Sequence, residues 1–448
     1  MRKFILSIVA TTAVMTLLHA EGYQLNLNSA KQGGMGNAGV ALKLGAESMI
    51  YNPAGLAFID GKAQFSAGVT AIKSFIDYSN GSYSEKTNNP LGTPLYVYAG
   101  FKISNNLAAG VSLNNPAGNS IFWPDNWKGA ILVQNSSLKA FSAQPTLSFK
   151  FLDDMLSVGA GAMIMWGNFS NVKALIPVNG LAGIGVAAPP YKPFLDKYSD
   201  VVPVSAKLSG DAKMGVGFNI GVLFSPIPEL SIGLSYRSKV DLKVDDGQTE
   251  INYVDPEMKQ FISDLPAAFG VVIPPLDKGR FAASMPLPAN FNAGLSYHFC
   301  DNTLITAEVV WVGWKVAEKL EIQYDKDAMN IKSEVPKFYK NTLIYRLGGQ
   351  WTAFPSFDVR AGVYYDTTPV DKDLYYSPET PGSNKLALTC GWSWRPTGGL
   401  SVDFAFVYSH GGEVTGNFTG SPFAANNPFS GTYKVHAFLP SLGLSYTF

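Results

Sequence analysis

The side chains best suited to acid–base, nucleophilic or metal chemistry are few in this sequence. The 448 residues contain four histidines and two cysteines, namely His19, His298, His410, His436, Cys300 and Cys390. They fall in no local nucleophile motif and at no metal-ligand spacing. We therefore expect no enzyme, no metal and no cofactor, with two free thiols favoured over a disulfide. A catalytic triad assembled from distant residues stays a rival hypothesis, which hydrolysis of ester or phospholipid substrates would support.

Binding of an apolar ligand is indicated instead by two long connecting segments, 171–204 and 247–283, which are unusually apolar for solvent-facing chain. Apolar residues recur there at helical spacing: Tyr191, Phe194, Leu195 and Tyr198 in the first, and Met258, Phe261, Ile262 and Leu265 in the second. Exposed apolar patches usually mark binding sites, and burying an alkyl chain gains about 0.8 kcal/mol per methylene. The alternative is that the two helices pack on each other and only cap the molecule.

The elements that must carry these segments are β-strands, because apolar residues alternate with small or polar ones over most of the chain. In 438–448 the apolar face reads Phe, Pro, Leu, Leu, Tyr, Phe, whereas four of the five residues on the other face are Ser, Gly, Ser and Thr. The segments 357–366, 385–395 and 400–409 alternate similarly. Successive side chains of a strand point to opposite faces, so each strand has one apolar face.

Composition and connection lengths favour a membrane barrel over a soluble sandwich. Charged residues make up only 15% of the chain, against about 25% in ordinary soluble domains, and aromatic residues reach 13%. Short turns alternate with long loops over about fourteen strands. This is typical of an all-β transmembrane antiparallel β-barrel, which we expect over 63–448 with long extracellular loops. The equal numbers of basic and acidic residues, 34 each, argue against a nucleic-acid partner.

The chain ends carry export and assembly signals. Residues 1–20 combine a basic start, an apolar core and Ala20 at the expected cleavage site, which predicts a signal peptide. Residues 21–62 are rich in glycine and do not alternate. We expect them to form an N-terminal hatch that plugs the lumen, because an open barrel of this size would leak small solutes. The C-terminal Phe448 suits the aromatic last residue that the barrel-assembly machinery reads.

Several short stretches match one known family in the order in which that family has them. They are 22–26, 52–54, 234–240, 287–288, 345–348, 365–370 and 409–411. The sequence thereby resembles the FadL-type long-chain fatty acid and hydrocarbon transporters of the outer membrane. The resemblance implies a fourteen-stranded barrel with a hatch. It also implies that the ligand is captured in an external apolar groove, passed to a lumen pocket and released sideways through the barrel wall.

The same resemblance implies roles for single residues. Tyr23 falls where a hatch aromatic occupies the pocket, and Asn52-Pro53-Ala54 falls on the hatch motif. Lys173, Lys337 and Asp366 fall where the family has polar pocket residues. Lys173 stands where the family has an arginine. A lysine keeps the positive charge but cannot make the two parallel hydrogen bonds by which an arginine binds a carboxylate. Two lysines suit a carboxylate ligand, and the alternative is that they are solvated charges at strand ends.

The third strand contains Asn115-Pro116-Ala117-Gly118. Proline cannot donate to the ladder and glycine weakens it, so we expect a kink that opens the barrel wall. The resemblance places the lateral exit at this position. The alternative is that Pro116 simply ends the strand.

The sequence thus predicts a passive transporter of hydrophobic compounds, above all long-chain fatty acids, in the outer membrane of a Gram-negative bacterium. We expect a monomer that contacts outer-membrane lipid. A hydrocarbon transporter of the same family and a porin- or adhesin-type barrel are the alternatives. Uptake of oleate but not of sugars would favour the transporter, and sugar-driven swelling of liposomes would favour the porin.

Overall fold

The computed structural model describes residues 23–265, 278–324, 332–418 and 429–448. The expected signal peptide, the first residues of the expected hatch and the tips of three expected loops lie outside these ranges. The β segments are β1 (Ala63–Thr70), β2 (Lys73–Asn80), β3 (Tyr83–Lys86), β4 (Leu95–Lys102), β5 (Leu107–Asn114), β6 (Gly118–Phe122), β7 (Asn135–Phe151), β8 (Leu156–Ile176), β9 (Val204–Ile227), β10 (Leu230–Arg237), β11 (Val240–Tyr253), β12 (Arg280–Leu287), β13 (Asn290–Cys300), β14 (Thr303–Val312), β15 (Lys319–Tyr324), β16 (Lys332–Pro336), β17 (Thr342–Phe354), β18 (Phe357–Asp366), β19 (Lys385–Trp394), β20 (Leu400–Gly411), β21 (Val414–Phe418) and β22 (Phe429–Thr447). The helices are α1 (Ala30–Gly33), α2 (Ser48–Tyr51), α3 (Ala182–Ala187), α4 (Lys192–Asp196) and α5 (Pro256–Asp264), and 3-10 turns span Gly45–Glu47, Pro53–Phe58, Pro189–Tyr191 and Trp314–Ala317.

Short interruptions divide several barrel strands into two segments, so these segments make fourteen strands in the described part of the chain. Strands 1, 2 and 3 are β1 with β2, β3 with β4, and β5 with β6; strands 4, 5 and 6 are β7, β8 and β9. Strands 7 to 10 join β10 with β11, β12 with β13, β14 with β15, and β16 with β17; strands 11 to 14 are β18, β19, β20 with β21, and β22.

Each strand pairs antiparallel with the next, and strand 14 pairs with strand 1 from Gln64 opposite Thr447 to Thr70 opposite Ser441. Closure removes the sheet edge, whose unpaired backbone groups would each cost several kcal/mol in lipid. The predicted fold class is confirmed.

The two faces of the wall follow the predicted alternation. On strand 14, Leu442 and Leu444 are more than half exposed and point away from the lumen, whereas Ser441 and Ser445 are buried. The exposed side chains form the apolar band that lipid requires. Among the described residues, no helix is long and apolar enough to cross a membrane.

On the extracellular side the strands run further than the alternation predicted, and several expected loops are correspondingly shorter. β8 continues to Ile176 and pairs there with Val204, the first residue of β9. Along β8 the outward-facing residues are apolar at Ile164 and Trp166 and polar at Asn168 and Ser170, which places the end of the lipid-facing band near Trp166. The extension is favoured because paired strands satisfy backbone groups that a loop leaves to water.

The N-terminal segment 23–62, called the hatch below, packs against the lumen face of the wall. A Cβ atom on Gly233 would stand 2.0 Å from the carbonyl oxygen of Val40, and one on Gly348 would stand 2.2 Å from that of Met35. Only glycine permits so close an approach of two backbones. Strand 1 begins directly after this segment, at Ala63.

Candidate ligand route and head-group site

Asn52 of the hatch motif joins the hatch to the barrel wall. Its Nδ2 donates to the carbonyl oxygens of Val40 (2.7 Å) and Val222 (2.9 Å), and its Oδ1 accepts from the Ala54 amide (3.1 Å). Asn52 therefore caps the 3-10 turn that starts at Pro53, and it also binds strand 6.

A buried ion pair on the wall forms a second tie. Glu308 accepts from the amides of Gly39 (2.9 Å) and Val40 (3.0 Å) and from Nη1 of Arg346 (2.8 Å). The same nitrogen donates to the carbonyl of Asn37 (3.0 Å). Each charge is compensated by the other and by hatch backbone, which makes its burial tolerable. This pair was not predicted from the sequence, although alternation places both residues on lumen faces.

A cavity of about 510 Å³ lies beside the hatch, within the size range of ligand pockets. Tyr23 and Trp314 line it, with their rings edge-on and the centroids 5.0 Å apart. The Tyr23 hydroxyl donates to the carbonyl of Pro286. Asp366 also lines the cavity, directly opposite Lys385 on the neighbouring strand. The structure thus places Tyr23 and Asp366 at one cavity with a largely apolar wall.

Lys173 and Lys337 come together elsewhere, in a buried cluster with Glu379. Lys173 lies on the extracellular extension of strand 5, beyond the lipid-facing band, and Lys337 lies in the connection between β16 and β17. Glu379 Oε2 is 3.7 Å from Lys337 Nζ, and Oε1 accepts from Asn171 Nδ2 (2.9 Å). The three charged residues are at most 4% exposed. The alternative that these lysines are solvated charges is therefore wrong.

Burial disfavours the charged form of both lysines. Desolvation lowers the pKa of Lys337, and the opposite charge of Glu379 restores part of it. The pKa of Lys173 falls to about 7, because desolvation outweighs the effect of Glu379 and the like charge of Lys337 adds to the fall. An anion brought into this cluster would stabilise both ammonium groups.

Glu379 belongs to the connection between strands 11 and 12. Residues 375–383 are buried throughout, whereas loops normally run over the surface. The carbonyl of Pro378 accepts from Trp123 Nε1 (3.2 Å), so the segment reaches the connection between strands 3 and 4. No periodicity marks such a segment. The adjacent Tyr375 and Tyr376, both buried, are the one compositional hint.

The third strand is interrupted where proline and glycine occur. β5 ends with Asn114 opposite Ser142, and β6 begins with Gly118 opposite Lys139. Three residues of strand 3 therefore face two of strand 4, which is a β-bulge. Beyond Pro116, β6 continues the pairing with β7.

At the bulge the Ala140 amide still donates to the Ala117 carbonyl (3.0 Å), and the side chain of Asn115 bonds to both neighbouring strands. Its Oδ1 accepts from the Leu95 amide of strand 2 (3.0 Å), and its Nδ2 donates to the Ala140 carbonyl of strand 4 (2.9 Å). Meanwhile the carbonyl of Pro116 accepts from the Leu25 amide of the hatch (2.9 Å). The backbone of the kink thus turns towards the hatch rather than towards strand 2.

Strands 2 and 3 separate beside this kink. Their ladder runs from Lys102 to Tyr96 on strand 2, and the two strands meet again where the Asn88 amide donates to the Phe122 carbonyl (2.7 Å). Between these points, Pro90 and Pro94 of strand 2 line the cavity. Neither proline has an amide to donate, so this stretch of wall is weakly joined.

Of the apolar residues predicted at helical spacing, Phe194 and Leu195 lie in α4 and Met258, Phe261 and Ile262 lie in α5, and the two helices pack on each other. The rings of Phe194 and Phe261 are 4.8 Å apart between centroids. Leu195 and Ile262 are buried, and Leu265 is partly buried against the same cluster. The two helices therefore pack on each other, as the alternative to a groove describes.

Apolar surface also remains outside this contact. Val186 of α3 is 80% exposed and Tyr191 is 41% exposed. A groove is compatible with the cap, since these side chains lie on the same connecting segment as α4.

A closed barrel whose lumen holds the N-terminal segment and a largely apolar cavity has the architecture of an outer-membrane transport protein. The chain belongs to the family described as "Outer membrane protein transport protein (OMPP1/FadL/TodX)", whose family model matches residues 11–448. Membership confirms the family resemblance and the location in the outer membrane of a Gram-negative bacterium.

The chain is similar to individual members over nearly its whole length. It is 24% identical over 454 residues to the long-chain fatty acid transport protein of Escherichia coli O6:H1, with 96% of this chain and 95% of that protein covered. The crystal structure of a Pseudomonas aeruginosa FadL homologue matches with a TM-score of 0.77 at 20% identity, covering 95% of this chain and 100% of the other. The P. putida toluene transporter TodX matches with a TM-score of 0.70 at 16% identity, covering 96% and 99%. At these identities the solved structures establish the shared fold.

Proposed function

We propose that this outer-membrane transporter carries long-chain fatty acids. The observation that carries the proposal is the buried pair of Lys173 and Lys337, because two buried ammonium groups favour an anionic head group. The apolar cavity suits an alkyl chain, each methylene of which gains about 0.8 kcal/mol on burial. The name of the Escherichia coli relative, a long-chain fatty acid transport protein, supports the same cargo.

A neutral hydrocarbon is the second candidate cargo. Glu379 already pairs with Lys337, and the aromatic rings of Tyr23 and Trp314 line the cavity. Aromatic side chains pack favourably against the rings of a ligand. The fold is shared with a protein named as a toluene transporter.

The proposed route starts at α4 and α5, where Phe194, Leu195, Phe261, Ile262 and Leu265 and the exposed apolar residues beside them hold the cargo. It continues into the lumen, where cargo competes with Tyr23 of the hatch for its contacts. The hatch is the gate in this proposal. Because the ties that Asn52, Glu308 and Arg346 make between hatch and wall are hydrogen bonds, they can exchange without loss of barrel closure.

Release is sideways, through the wall at residues 115–118. The bulge of strand 3 and the prolines of strand 2 support this part of the proposal, since both weaken the ladder beside the cavity. A lateral exit delivers an apolar molecule directly to lipid, which avoids the cost of transferring its surface into water.

Three further expectations belong to the same proposal. Residues 1–20 direct export and are removed. The barrel-assembly machinery reads Phe448, which is 64% exposed at the end of strand 14. The barrel works as a monomer surrounded by outer-membrane lipid.

Uptake by cells tests the cargo. A strain that lacks its own fatty acid transporter would receive the wild type, Lys337→Gln, or Lys340→Gln as a matched exposed control, and the initial uptake of labelled oleate, toluene and glucose would be measured. We expect oleate uptake to be about tenfold slower in Lys337→Gln, because one charge-assisted hydrogen bond is lost, and unchanged in Lys340→Gln. Toluene uptake with no effect of Lys337→Gln on oleate would favour the hydrocarbon, and glucose uptake would contradict both cargoes.

A further inference from the structure

We propose that a second, smaller cavity in the lumen is an anion site, in which Arg237 binds the carboxylate of the cargo. The inference rests on the proposed fatty acid cargo, and it adds a head-group site apart from the lysine pair. The cavity measures about 60 Å³, and its lining includes Arg237, Asn290, Glu308 and Arg346. Because one water molecule needs at least about 10–15 Å³, this volume holds a head group but no alkyl chain.

Arg237 is a cation of the lumen wall that forms no ion pair with a carboxylate of the described residues. It is the last residue of β10, and its Nη2 donates to the Ile50 carbonyl of the hatch (3.0 Å). An arginine has five N–H donors and stays protonated at neutral pH. Most of its donors and its positive charge are therefore left to the cavity that it lines, and a charge removed from water ordinarily has a partner.

Two neighbouring side chains of the cavity also have an unused polar atom in the described part of the chain. Asn290 stands directly opposite Arg237 on strand 8 and is 6% exposed, and its Oδ1 accepts no hydrogen bond. Arg346 is 7% exposed, and its Nε has no acceptor. The amide of Asn290 can offer its Nδ2 donors instead by a half-turn. Since buried polar atoms ordinarily have a partner, these side chains indicate a polar ligand in the cavity.

Glu308 is the carboxylate among the described residues that line this cavity, and its charge is already compensated. It accepts from Nη1 of Arg346 (2.8 Å) and from the amides of Gly39 (2.9 Å) and Val40 (3.0 Å). It therefore leaves the charge of Arg237 to a ligand. A carboxylate fits this need, because its two oxygens accept parallel bonds from a planar guanidinium.

The first residues of the hatch separate this cavity from the larger one. Residues 24–26 line both cavities. The Leu25 amide holds them to the bulge of strand 3 by its bond to the Pro116 carbonyl (2.9 Å). Once this bond opens and the segment moves, one cargo molecule can place its alkyl chain in the larger cavity and its carboxylate at Arg237.

The preference for a charged over a neutral ligand tests this site. The purified full-length protein in an uncharged detergent would be titrated with palmitate and with methyl palmitate, its neutral analogue, and the ratio of the two dissociation constants would be measured. The proteins are the wild type, Arg237→Gln, Lys337→Gln, and Arg280→Gln as a matched control at an exposed arginine.

We expect the preference for palmitate to fall about tenfold in Arg237→Gln, the weight of one charge-assisted contact, and to stay unchanged in Arg280→Gln. A wild-type ratio in Arg237→Gln together with a lower ratio in Lys337→Gln would overturn the Arg237 site and leave the fatty acid proposal standing. A ratio that neither variant changes would overturn both. A ratio that only Arg237→Gln lowers would support this site and overturn the lysine pair as the head-group contact.

Asn290→Asp tests the site with Arg237 in place, and it decides the outcome if Arg237→Gln does not fold. The new carboxylate stands opposite Arg237 and supplies the missing anion from within the chain. We expect the preference for palmitate to fall at least about tenfold, because the guanidinium is already paired and the added charge repels the ligand. If Arg237 only ties the hatch through the Ile50 carbonyl, Asn290→Asp keeps the wild-type ratio, and that result would overturn the proposal.

Discussion

Lys173 and Lys337 are the residues on which the choice of cargo depends. Resemblance to the family pointed to both from the sequence, but their burial could not be predicted, because alternation near a strand end does not tell lumen from solvent. Glu379 could not be predicted either, since it stands in a segment without periodicity. The ion pair of Glu308 and Arg346 could have been predicted, because a charged residue at a lumen-facing position of a barrel strand needs a partner of opposite charge.

A pH titration tests the charge state of Lys173. With a pKa of about 7, its ammonium form predominates at pH 6 and its neutral form at pH 8. Binding of decanesulfonate, whose head group stays ionised, should therefore weaken by up to about tenfold as the pH rises over this range. Equilibrium dialysis would measure the affinity, with methyl decanoate as the neutral ligand whose binding should not change. Affinity that rises with pH, or an equal slope in Lys173→Gln, would contradict this assignment.

At the scale of elements, the features that depend only on neighbouring residues of the sequence are a helix start and a β-bulge. The start of α5 follows the sequence, because Asp255 Oδ1 accepts from the Met258 amide (2.8 Å) with Pro256 at the first helical position. The bulge of strand 3 also follows from proline and glycine. The ends of the strands on the extracellular side could not be predicted from the sequence, because pairing between neighbouring strands extends β8 and β9 beyond the point where alternation is clear.

The fit between hatch and wall gives a prediction at the same scale. Gly233→Ala adds a methyl group 2.0 Å from the Val40 carbonyl, so the hatch must shift, at about 1–3 kcal/mol for overpacking. Hydrogen exchange of amides 36–55 should become at least about tenfold faster. Gly412→Ala is the control, because a Cβ there meets no atom of the described chain within 4 Å. Equal protection in both variants would show that the hatch does not depend on this contact.

At the scale of the whole molecule, the chain closes a barrel and fills it with its own N-terminus. The Lys62 amide donates to the Phe448 carbonyl (2.7 Å), so the end of the hatch and the end of the chain meet at the seam. Closure fixes the wall, and at the bulge of strand 3 the side chain of Asn115 adds to the backbone bond between the Ala140 amide and the Ala117 carbonyl (3.0 Å). The proposed path from the cavity to the lipid depends on this bulge in strand 3.

Uptake of labelled oleate by cells that express a variant with Pro116 deleted tests this account most directly. The deletion removes both the extra residue and the proline, which lets strand 3 pair continuously with strand 4. Deletion of Gly398, in an exposed turn, is the matched control. With equal amounts of folded barrel in the outer membrane, we predict that uptake falls to the level of cells without the protein when Pro116 is deleted and persists when Gly398 is deleted. Wild-type uptake by the Pro116 deletion would contradict release through the wall.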